Sequence, residues 1–386
     1  MHNPGTTLLT CPERPMVLLR RNELSRAAIL RDSPGDPQLE NVSYSLPQGS
    51  EVLIRTAAAG ICASDIQVCD GRIPTPLPVI LGHEATGVIE AVGPDVGRLC
   101  PGDRVLVCQS SFCGHCEYCL KGLVSLCRSP GLRTRADGTP RVTAGGGALH
   151  TGSGIGAFGE HMLVHERSVL QLPDSVSLEA ATMLGCAVTT GMGAVLRTAR
   201  VPAGATVAVV GAGGIGLSCV QGARIAGASR IIAVDRRADR LTTAASLGAT
   251  DVLHVMDDDP VETVKELTGG GVEFSFEAVG ISSTVEQAFR MLRMGGTCTV
   301  IGIVPKTTPI RLKASALLAE RRIQGSANGS NKFHLDVPRY LALHEQGRLK
   351  LDELIGATVA LDALKEAFGA AREGRHTRTI VSFDGP

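Results

Sequence analysis

The sequence predicts an α/β protein with a β-rich N-terminal half and a doubly wound parallel sheet in its C-terminal half. Three observations indicate this arrangement. Short strands punctuated by glycine and proline fill the first half. Strands alternate with helices after about residue 189, and a glycine-rich turn joins the first of those strands to its helix. The chain has 386 residues, which is enough for two or three domains.

Four segments of the N-terminal half are predicted to be β-strands, because each is short, apolar and bounded by turn residues. They are residues 27–30, 51–58, 86–93 and 103–107. Residues 1–25 are predicted to form a loose extension. Residues 128–157, rich in glycine, arginine and threonine, are predicted to form a long loop.

The C-terminal half alternates between two kinds of segment. Buried strands are predicted at residues 205–210, 230–234, 273–278 and 297–301, and helices at 215–226, 237–247 and 284–292. Further along, helices are predicted at 335–346 and 361–369, and a last strand at 379–383. Gly227 is expected to end the first of these helices.

Charge and composition exclude several kinds of partner. Lys plus Arg and Asp plus Glu are 38 each, so the formal net charge is zero and gives no reason to expect nucleic acid. No apolar run reaches the roughly 18 residues that span a membrane. The first residues also lack the apolar stretch of a signal peptide. We therefore expect the 12 cysteines in a reducing compartment, the cytoplasm.

Four cysteines lie close together in the spacing C-x2-C-x2-C-x7-C. They are Cys113, Cys116, Cys119 and Cys127. Four thiolates can enclose a tetrahedral zinc and leave no open position for water, which is typical of a structural site. An iron–sulfur cluster also takes four cysteines, and spacing alone leaves that alternative open.

A dinucleotide-binding fingerprint follows the strand at 205–210. The turn reads Gly211-Ala212-Gly213-Gly214-Ile215-Gly216 and opens the predicted helix. Its glycines permit the tight turn, the close approach of a pyrophosphate and the packing of helix on strand. Asp235 ends the next strand, where a carboxylate binds ribose hydroxyls and repels a 2′-phosphate, so NAD is predicted over NADP.

Several motifs occur together in one order along nearly the whole chain. They are GICASD at 60–65, GHEATGVIEAVG at 82–93, the four-cysteine loop, GCAVTTG at 185–191, GAGGIG at 211–216 and GRHTRTI at 374–380. In this combination the chain resembles the zinc-dependent medium-chain alcohol dehydrogenases. It is most similar to their longer, usually dimeric branch, which includes glutathione-dependent formaldehyde dehydrogenases.

The resemblance implies a domain organisation. Residues 26–188 would form a GroES-like catalytic domain and residues 189–326 a Rossmann domain that binds NAD. Residues 327–386 would return to the catalytic domain, and residues 1–25 would precede it as an extension. A homodimer is also implied, because the strand at 297–301 and the segment after it resemble the family's edge of the cofactor-binding sheet.

The resemblance also assigns a catalytic zinc in addition to the structural one. Cys62, His83 and Cys186 would bind it and leave the fourth position open. Glu84 would be a nearby carboxylate able to approach the metal. Asp65 would orient His83, and Ser64 would hydrogen-bond the substrate hydroxyl and take its proton.

The remaining implied roles concern the cofactor and the substrate. Thr190 would contact the nicotinamide, Arg240 the adenosine ribose and Arg378 the pyrophosphate. Gln67 replaces a histidine of the family's proton relay. Gln109 and Gly152 stand where enzymes for short alcohols carry aromatic walls. That difference predicts an alcohol bulkier than ethanol: an allylic, aryl or terpenoid one.

The predicted reaction is the reversible, NAD-linked oxidation of a primary or secondary alcohol to an aldehyde or ketone. Zinc would act as a Lewis acid. Two alternatives stay open at this point. One is oxidation of formaldehyde with glutathione on the same frame, and the other is a non-catalytic protein that binds zinc and nucleotide.

Overall fold

The structure is a computed structural model that describes residues 25–256 and 259–383. The predicted extension lies outside the described residues, except for Ser25. The strands are β1 Ser25–Leu30, β2 Gln38–Tyr44, β3 Glu51–Ile61, β4 Val79–Ile80, β5 Glu84–Val92, β6 Arg104–Cys108, β7 Val142–Ala144, β8 Gly147–Ala148, β9 His150–Thr151, β10 His161–His165, β11 Val169–Gln171, β12 Thr206–Val210, β13 Arg230–Asp235, β14 Asp251–His254, β15 Val272–Glu277, β16 Leu292–Val300, β17 Arg322–Gly325, β18 Ala357–Ala360 and β19 Thr379–Ser382.

The α-helices follow the alternation that the sequence predicts in the C-terminal half and are short in the N-terminal half. They are α1 Ala63–Cys69, α2 Glu117–Leu120, α3 Leu178–Thr182, α4 Ala187–Gly193, α5 Gly214–Ala226, α6 Ala238–Leu247, α7 Pro260–Thr268, α8 Ser282–Arg290, α9 Ala314–Leu317, α10 Phe333–Glu345 and α11 Leu364–Arg372. Helix α5 ends at Gly227, whose φ of +82° is easy only for glycine.

Strand β3 is the centre of the N-terminal half. It pairs with β5 along one edge, and along the other edge with β10 over its first residues and with β19 over its last. The sheet order is β11-β6-β5-β3-β19-β18 with β10 also on β3. Strands β1 and β2 lie at the centre of a second sheet, whose order is β8-β7-β2-β1-β4-β9. The last described strand therefore returns to the first half of the chain.

The C-terminal half contains a parallel sheet in the order β14-β13-β12-β15-β16-β17. Strand β12 has the sequence TVAVV and is almost fully buried, as a central parallel strand requires. The order reverses between β13 and β15 on either side of β12. The carboxyl end of β12, where the glycine-rich turn begins, is therefore the place where such sheets bind ligands.

Two of the sequence predictions, one in the parallel sheet and one in the N-terminal half, are wrong. The strand predicted at 297–301 is not at the edge, because β17 pairs in parallel with it from Thr297 to Val300 and takes the edge position. Residues 322–325 are a short, half-exposed segment that local periodicity does not mark as a strand. The segment predicted at 128–157 to be a long loop contains three short strands: β7 and β9 pair with the distant strands β2 and β4, and β8 forms a hairpin with β7.

Helices α4 and α5 join the two halves of the molecule. Both are buried in one apolar cluster that also takes residues from β12 and α10. Gly191 on α4 permits this contact, since an added Cβ would lie 2.4 Å from the carbonyl oxygen of Ile215. In the part of the chain that the structure describes, no single helix is long and apolar enough to cross a membrane. The bent pair 178–185 and 187–199 passes that test together.

Candidate active site

Three side chains from separate elements converge in a buried cluster. Cys62 lies between β3 and α1, His83 immediately before β5, and Cys186 immediately before α4. The ligand atoms of these residues lie within 4.8 Å of one another, and all three residues are buried. Two thiols and one imidazole are a donor set that zinc takes in catalytic sites.

His83 is oriented so that one ring nitrogen faces this cluster. Its Nδ1 lies 3.3 Å from Oδ1 of Asp65. Asp65 is itself held by the backbone N–H groups of Cys62 and Gly82, at 3.0 and 3.2 Å. Within the described residues, the buried Nε2 of His83 has no hydrogen-bond partner. A buried nitrogen without a partner, beside two thiols, fits a bound metal ion.

The two sulfur atoms differ in acidity. The hydrogen bond from Cys186 lowers the pKa of Cys62 well below its usual value, and the positive charges of Arg378 and His83 lower it further. The same hydrogen bond, together with burial, raises the pKa of Cys186. Both sulfur atoms must be thiolates to bind a metal ion, so metal binding would release any proton that the pair still holds.

Glu84 faces Arg378, and its carboxylate is not among the converging ligand atoms. Nε of Arg378 lies 3.3 Å from Oε1 of Glu84, and Nη1 donates to the carbonyl of Ile61 at 2.8 Å. Burial raises the pKa of Glu84 to about 7, although Arg378 acts to lower it. Gly60 makes room for this carboxylate, since an added Cβ would lie 2.0 Å from Oε1. A role of Glu84 as a zinc ligand stays a prediction.

The four-cysteine loop forms a second cluster. Cys113, Cys116, Cys119 and Cys127 place their sulfur atoms within 4.8 Å of one another. Cys116 is the N-cap of α2, and its Sγ lies 3.4 Å from that of Cys119. Backbone N–H groups of His115 and Cys116 lower the pKa of Cys113 to about 6. Four converging sulfur atoms with no other ligand fit a closed zinc site.

The glycines of the fingerprint are each used differently. Gly211 has a φ of +94°, which the tight turn requires. An added Cβ at Gly216 would lie 1.7 Å from the carbonyl oxygen of Gly211, so this position in the first turn of α5 accepts only glycine. At Gly213 an added Cβ would meet nothing within 4 Å, which leaves this part of the turn open to a ligand. Gly214, the first residue of α5, lies against the guanidinium of Arg378.

Asp235 at the end of β13 is tied to the same turn. Its carboxylate accepts hydrogen bonds from the backbone N–H of Ala212 at 2.6 Å and of Arg237 at 2.9 Å. Arg240, one turn into α6, donates to the carbonyl of Gly374 at 2.9 Å. These contacts place the carboxylate beside the turn, where a ribose would bind.

A cavity of about 620 Å³ joins the first cluster to the glycine-rich turn. Its walls include Cys62, Ser64, Gln67, His83, Gln109, Gly152, Cys186, Thr190 and Ile215. The predicted zinc ligands, the predicted proton acceptor and two predicted cofactor contacts therefore share one space. A hydride can pass between a substrate and a nicotinamide only where both can reach such a shared space.

Two family profiles match the sequence. "Alcohol dehydrogenase GroES-like domain" matches residues 48–174, and "Zinc-binding dehydrogenase" matches residues 214–346. Together they cover more than half of the chain. The chain belongs to the medium-chain, zinc-dependent alcohol dehydrogenase family. This membership confirms the predicted fold class, a GroES-like catalytic domain joined to a Rossmann domain.

Solved structures agree with the assignment to this oxidoreductase family. An alcohol dehydrogenase zinc-binding domain protein from Burkholderia ambifaria is 34% identical, with a TM-score of 0.89 over 94% of this chain and 99% of that one. Benzyl alcohol dehydrogenase from Acinetobacter calcoaceticus is 32% identical, with a TM-score of 0.88 over 94% and 100%. A zinc-binding dehydrogenase structure from Sinorhizobium meliloti 1021, bound to NADP, is 26% identical, with a TM-score of 0.78 over 94% and 100%.

Several cavity residues escape sequence reasoning. Arg128, Arg133, Ser153 and Asn328 line the same cavity as the zinc ligands. The first three lie in the segment predicted to be a long loop, and Asn328 lies in a short 3-10 turn after β17. Two arginines close together in a glycine-rich segment are the one sequence feature that could have indicated a site there.

Proposed function

We propose that this enzyme oxidises a primary or secondary alcohol larger than ethanol with NAD and reduces the matching aldehyde or ketone. The observation that carries the proposal is the shared cavity. It has Cys62, His83 and Cys186 in its wall together with Thr190 and Ile215 beside the fingerprint turn. No observation of comparable weight favours a non-catalytic protein.

Cys62, His83 and Cys186 would hold the catalytic zinc, and the four-cysteine loop would hold the structural one. When bound, the catalytic zinc supplies Lewis-acid polarisation of the substrate oxygen, and NAD supplies the hydride acceptor. Asp65 keeps His83 in the tautomer that presents Nε2. Ser64 lines the cavity and would relay the hydroxyl proton: its Oγ accepts that proton while its own hydroxyl proton passes to solvent water. Gln67 also lines the cavity but cannot take up the proton.

The preference for NAD rests on Asp235. Its carboxylate is held rigidly by two backbone N–H groups beside the turn, and a 2′-phosphate placed there would meet a like charge. Thr190 is buried on α4 and lines the cavity, as a nicotinamide contact must. Arg378 lies against Gly214, which supports its role toward the pyrophosphate.

The size of the substrate rests on Gln109 and Gly152. Both line the cavity, and neither contributes an aromatic ring to it. The similarity to a benzyl alcohol dehydrogenase at 32% identity supports an aryl alcohol within the proposed class. We also propose a reducing compartment such as the cytoplasm, because both metal sites need reduced cysteines, although Cys100 is disulfide-bonded.

The test is an assay of NADH formation by the zinc-loaded protein with aliphatic, allylic, benzylic and alicyclic alcohols. We expect kcat/KM to be higher for a benzylic or allylic alcohol than for ethanol, and higher with NAD than with NADP. The chelator-treated protein serves as the control and should be inactive until zinc is restored. Absence of turnover with every alcohol, or equal kcat/KM for ethanol and benzyl alcohol, would contradict the proposal.

A further inference from the structure

The cavity wall carries two positive charges that no protein carboxylate neutralises. Arg128 and Arg133 both line the cavity. Among residues 25–256 and 259–383, neither guanidinium forms a hydrogen bond or an ion pair. Asp65 is the one carboxylate among the lining residues, and it is already bound to His83 and to two backbone N–H groups.

The position of Arg133 is built into the fold. Its side-chain stem packs on Gly154, where an added Cβ would lie 2.8 Å from Cγ of the arginine. Gly154 also has a φ of +76°, so both its conformation and the packing require glycine. The backbone carbonyl of Arg133 accepts a hydrogen bond from Arg141, which is anchored on the buried Glu51. The arginine is therefore held beside the segment 152–153 that lines the cavity.

The environment of Arg133 penalises its charge. Burial lowers its pKa, and the positive charge of Arg128 lowers it further. Guanidinium groups nevertheless stay charged in proteins, so the pair keeps two like charges close together. Arg128 is exposed and Arg133 is partly buried, and the Cys127 thiolate offsets only part of the effect on Arg133. An anion that binds beside the two guanidinium groups would therefore stabilise them.

Three further residues of the cavity lining, Gln109, Ser153 and Asn328, are polar and uncharged. Oγ of Ser153 donates to Oε1 of Gln109 at 3.0 Å, and Nε2 of Gln109 donates to Oδ1 of Asn328 at 3.4 Å. None of these three side chains is a carboxylate that could form an ion pair with Arg128 or Arg133. A purely hydrocarbon substrate would displace water from the partly buried guanidinium of Arg133 without any compensation, which is costly.

We propose that the alcohol carries a carboxylate or phosphate group remote from its reacting carbon, and that Arg133, assisted by Arg128, binds this anion. The inference rests on the proposed function and specifies its substrate class. Arginine suits this task, because its planar fork matches both oxyanions with paired hydrogen bonds.

The test compares matched substrates with the zinc-loaded full-length enzyme and NAD. They are para-(hydroxymethyl)benzoate, its neutral methyl ester and para-(hydroxymethyl)phenyl phosphate. We expect kcat/KM for one of the two anions to exceed that for the ester by about tenfold or more. The advantage should lie in KM and should shrink as salt is added, since screening weakens exposed charge pairs.

Variants assign the effect to the arginines. Arg133→Gln should reduce the preference for the anion over the ester by about tenfold, Arg128→Gln by less, and Arg133→Lys should retain part of it. Arg98→Gln is the matched control, because Arg98 is exposed and does not line this cavity. Calorimetric titration of the zinc-loaded protein with para-(hydroxymethyl)benzoate should show the same order of affinities without turnover.

The outcomes separate this inference from the proposed function. If neither the anions nor the ester is oxidised, the proposed function fails. If the ester is oxidised at least as well as both anions, or if Arg133→Gln weakens all three substrates equally, the anion site is wrong and the alcohol dehydrogenase stands. Turnover of formaldehyde only with glutathione present would support the site and identify its anion as a carboxylate of the glutathione adduct.

Discussion

Polar contacts of single buried side chains decide how the active site works. Asp65 occupies Nδ1 of His83, so only Nε2 is left to bind a metal. Arg378 faces Glu84, so this buried carboxylate is balanced by a charge from the far end of the chain. Each contact ties one predicted functional residue to a neighbour that the local sequence does not reveal.

Substitutions of one cysteine in each cluster should separate the two zinc sites. We expect two zinc ions per chain in the native enzyme. Cys62→Ser should lose one zinc and lower kcat by more than about a thousandfold, because the Lewis acid is lost while the fold remains. Cys116→Ser should instead lower the melting temperature. Metal analysis, kinetics and thermal unfolding check this, and one zinc per native chain would contradict it.

Replacement of Asp235 should change the cofactor preference. Asp235→Asn removes the negative charge and keeps one of the two acceptor oxygens, so only one of the backbone N–H groups of Ala212 and Arg237 retains its hydrogen bond. The ratio of kcat/KM with NADP to that with NAD should rise about tenfold, helped by the neighbouring Arg236. Steady-state kinetics with both cofactors measure it. A native enzyme that already prefers NADP would overturn this reading of Asp235.

Narrowing of the cavity is best attempted at Gln109. At Gly152 an added Cβ would lie 3.3 Å from the backbone of Ile80 and Leu81, so a larger residue there would press on β4. Gln109→Phe should lower kcat/KM for benzyl alcohol more than for ethanol, because the ring occupies space that the larger alcohol needs. Kinetics with both alcohols check it. An equal effect on both would place Gln109 outside the substrate space.

At the level of elements, strand β3 anchors the segment 133–141. Glu51, the first residue of β3, pairs with Arg135 and Arg141, and each of these three side chains is only 6% exposed. Burial acts to raise the pKa of Glu51, but hydrogen bonds from Arg135, the backbone of Gln48 and Arg141 outweigh it, so the pKa is lowered. Glu51 thus holds in place the segment that carries Arg133.

Glu51→Gln should therefore destabilise the protein in a pH-dependent way. At pH 7 the free energy of unfolding should fall by about 3 kcal/mol, because two buried arginines lose their counter-charge. Since the folded pKa of Glu51 lies below the unfolded one, its contribution is present above about pH 4.5 and disappears as the pH falls through the folded pKa. The difference in the free energy of unfolding between Glu51→Gln and the native enzyme should therefore become smaller as the pH falls.

Denaturant titrations at several pH values measure this difference. Glu40→Gln is the matched control, because its pair with Arg31 is exposed and should contribute no more than about 1 kcal/mol. An equal decrease in the free energy of unfolding for both variants would show that the buried ion pairs of Glu51 stabilise the protein no more than the exposed pair of Glu40. A loss for Glu51→Gln that is independent of pH would show that its charge is not what stabilises the segment.

At the scale of the whole molecule, we propose a homodimer formed along the outer edge of the parallel sheet. The edge strand is β17, and beside it lie Met294 and Leu318, which are 76% and 87% exposed. The backbone segments that carry these two residues are neighbours, because the N–H of Gly295 donates to the carbonyl of Ala319 at 2.9 Å. An open sheet edge flanked by exposed apolar side chains is typical of an interface.

Leu318→Asp should shift the dimer toward monomer, because it places a charge in this apolar surface. Light scattering at micromolar concentration measures the mass. Leu120→Asp is the control. Leu120 is also 76% exposed but lies in the four-cysteine loop, so this variant should remain dimeric. A monomeric native enzyme, or a dimer that Leu318→Asp leaves intact, would contradict this interface.

Local sequence patterns identify the parts of this enzyme whose residues lie close together in the chain. The four-cysteine loop, the GAGGIG turn and Asp235 could be recognised because backbone geometry over a few residues sets their spacing. Tertiary structure alone decided the rest. Strand β17 takes the sheet edge and β19 joins β3 through pairing with distant strands. Arg128 and Arg133 line the same cavity as zinc ligands that are distant in the sequence. Such contacts join residues far apart in the chain, and no local pattern encodes which distant strand will complete a sheet.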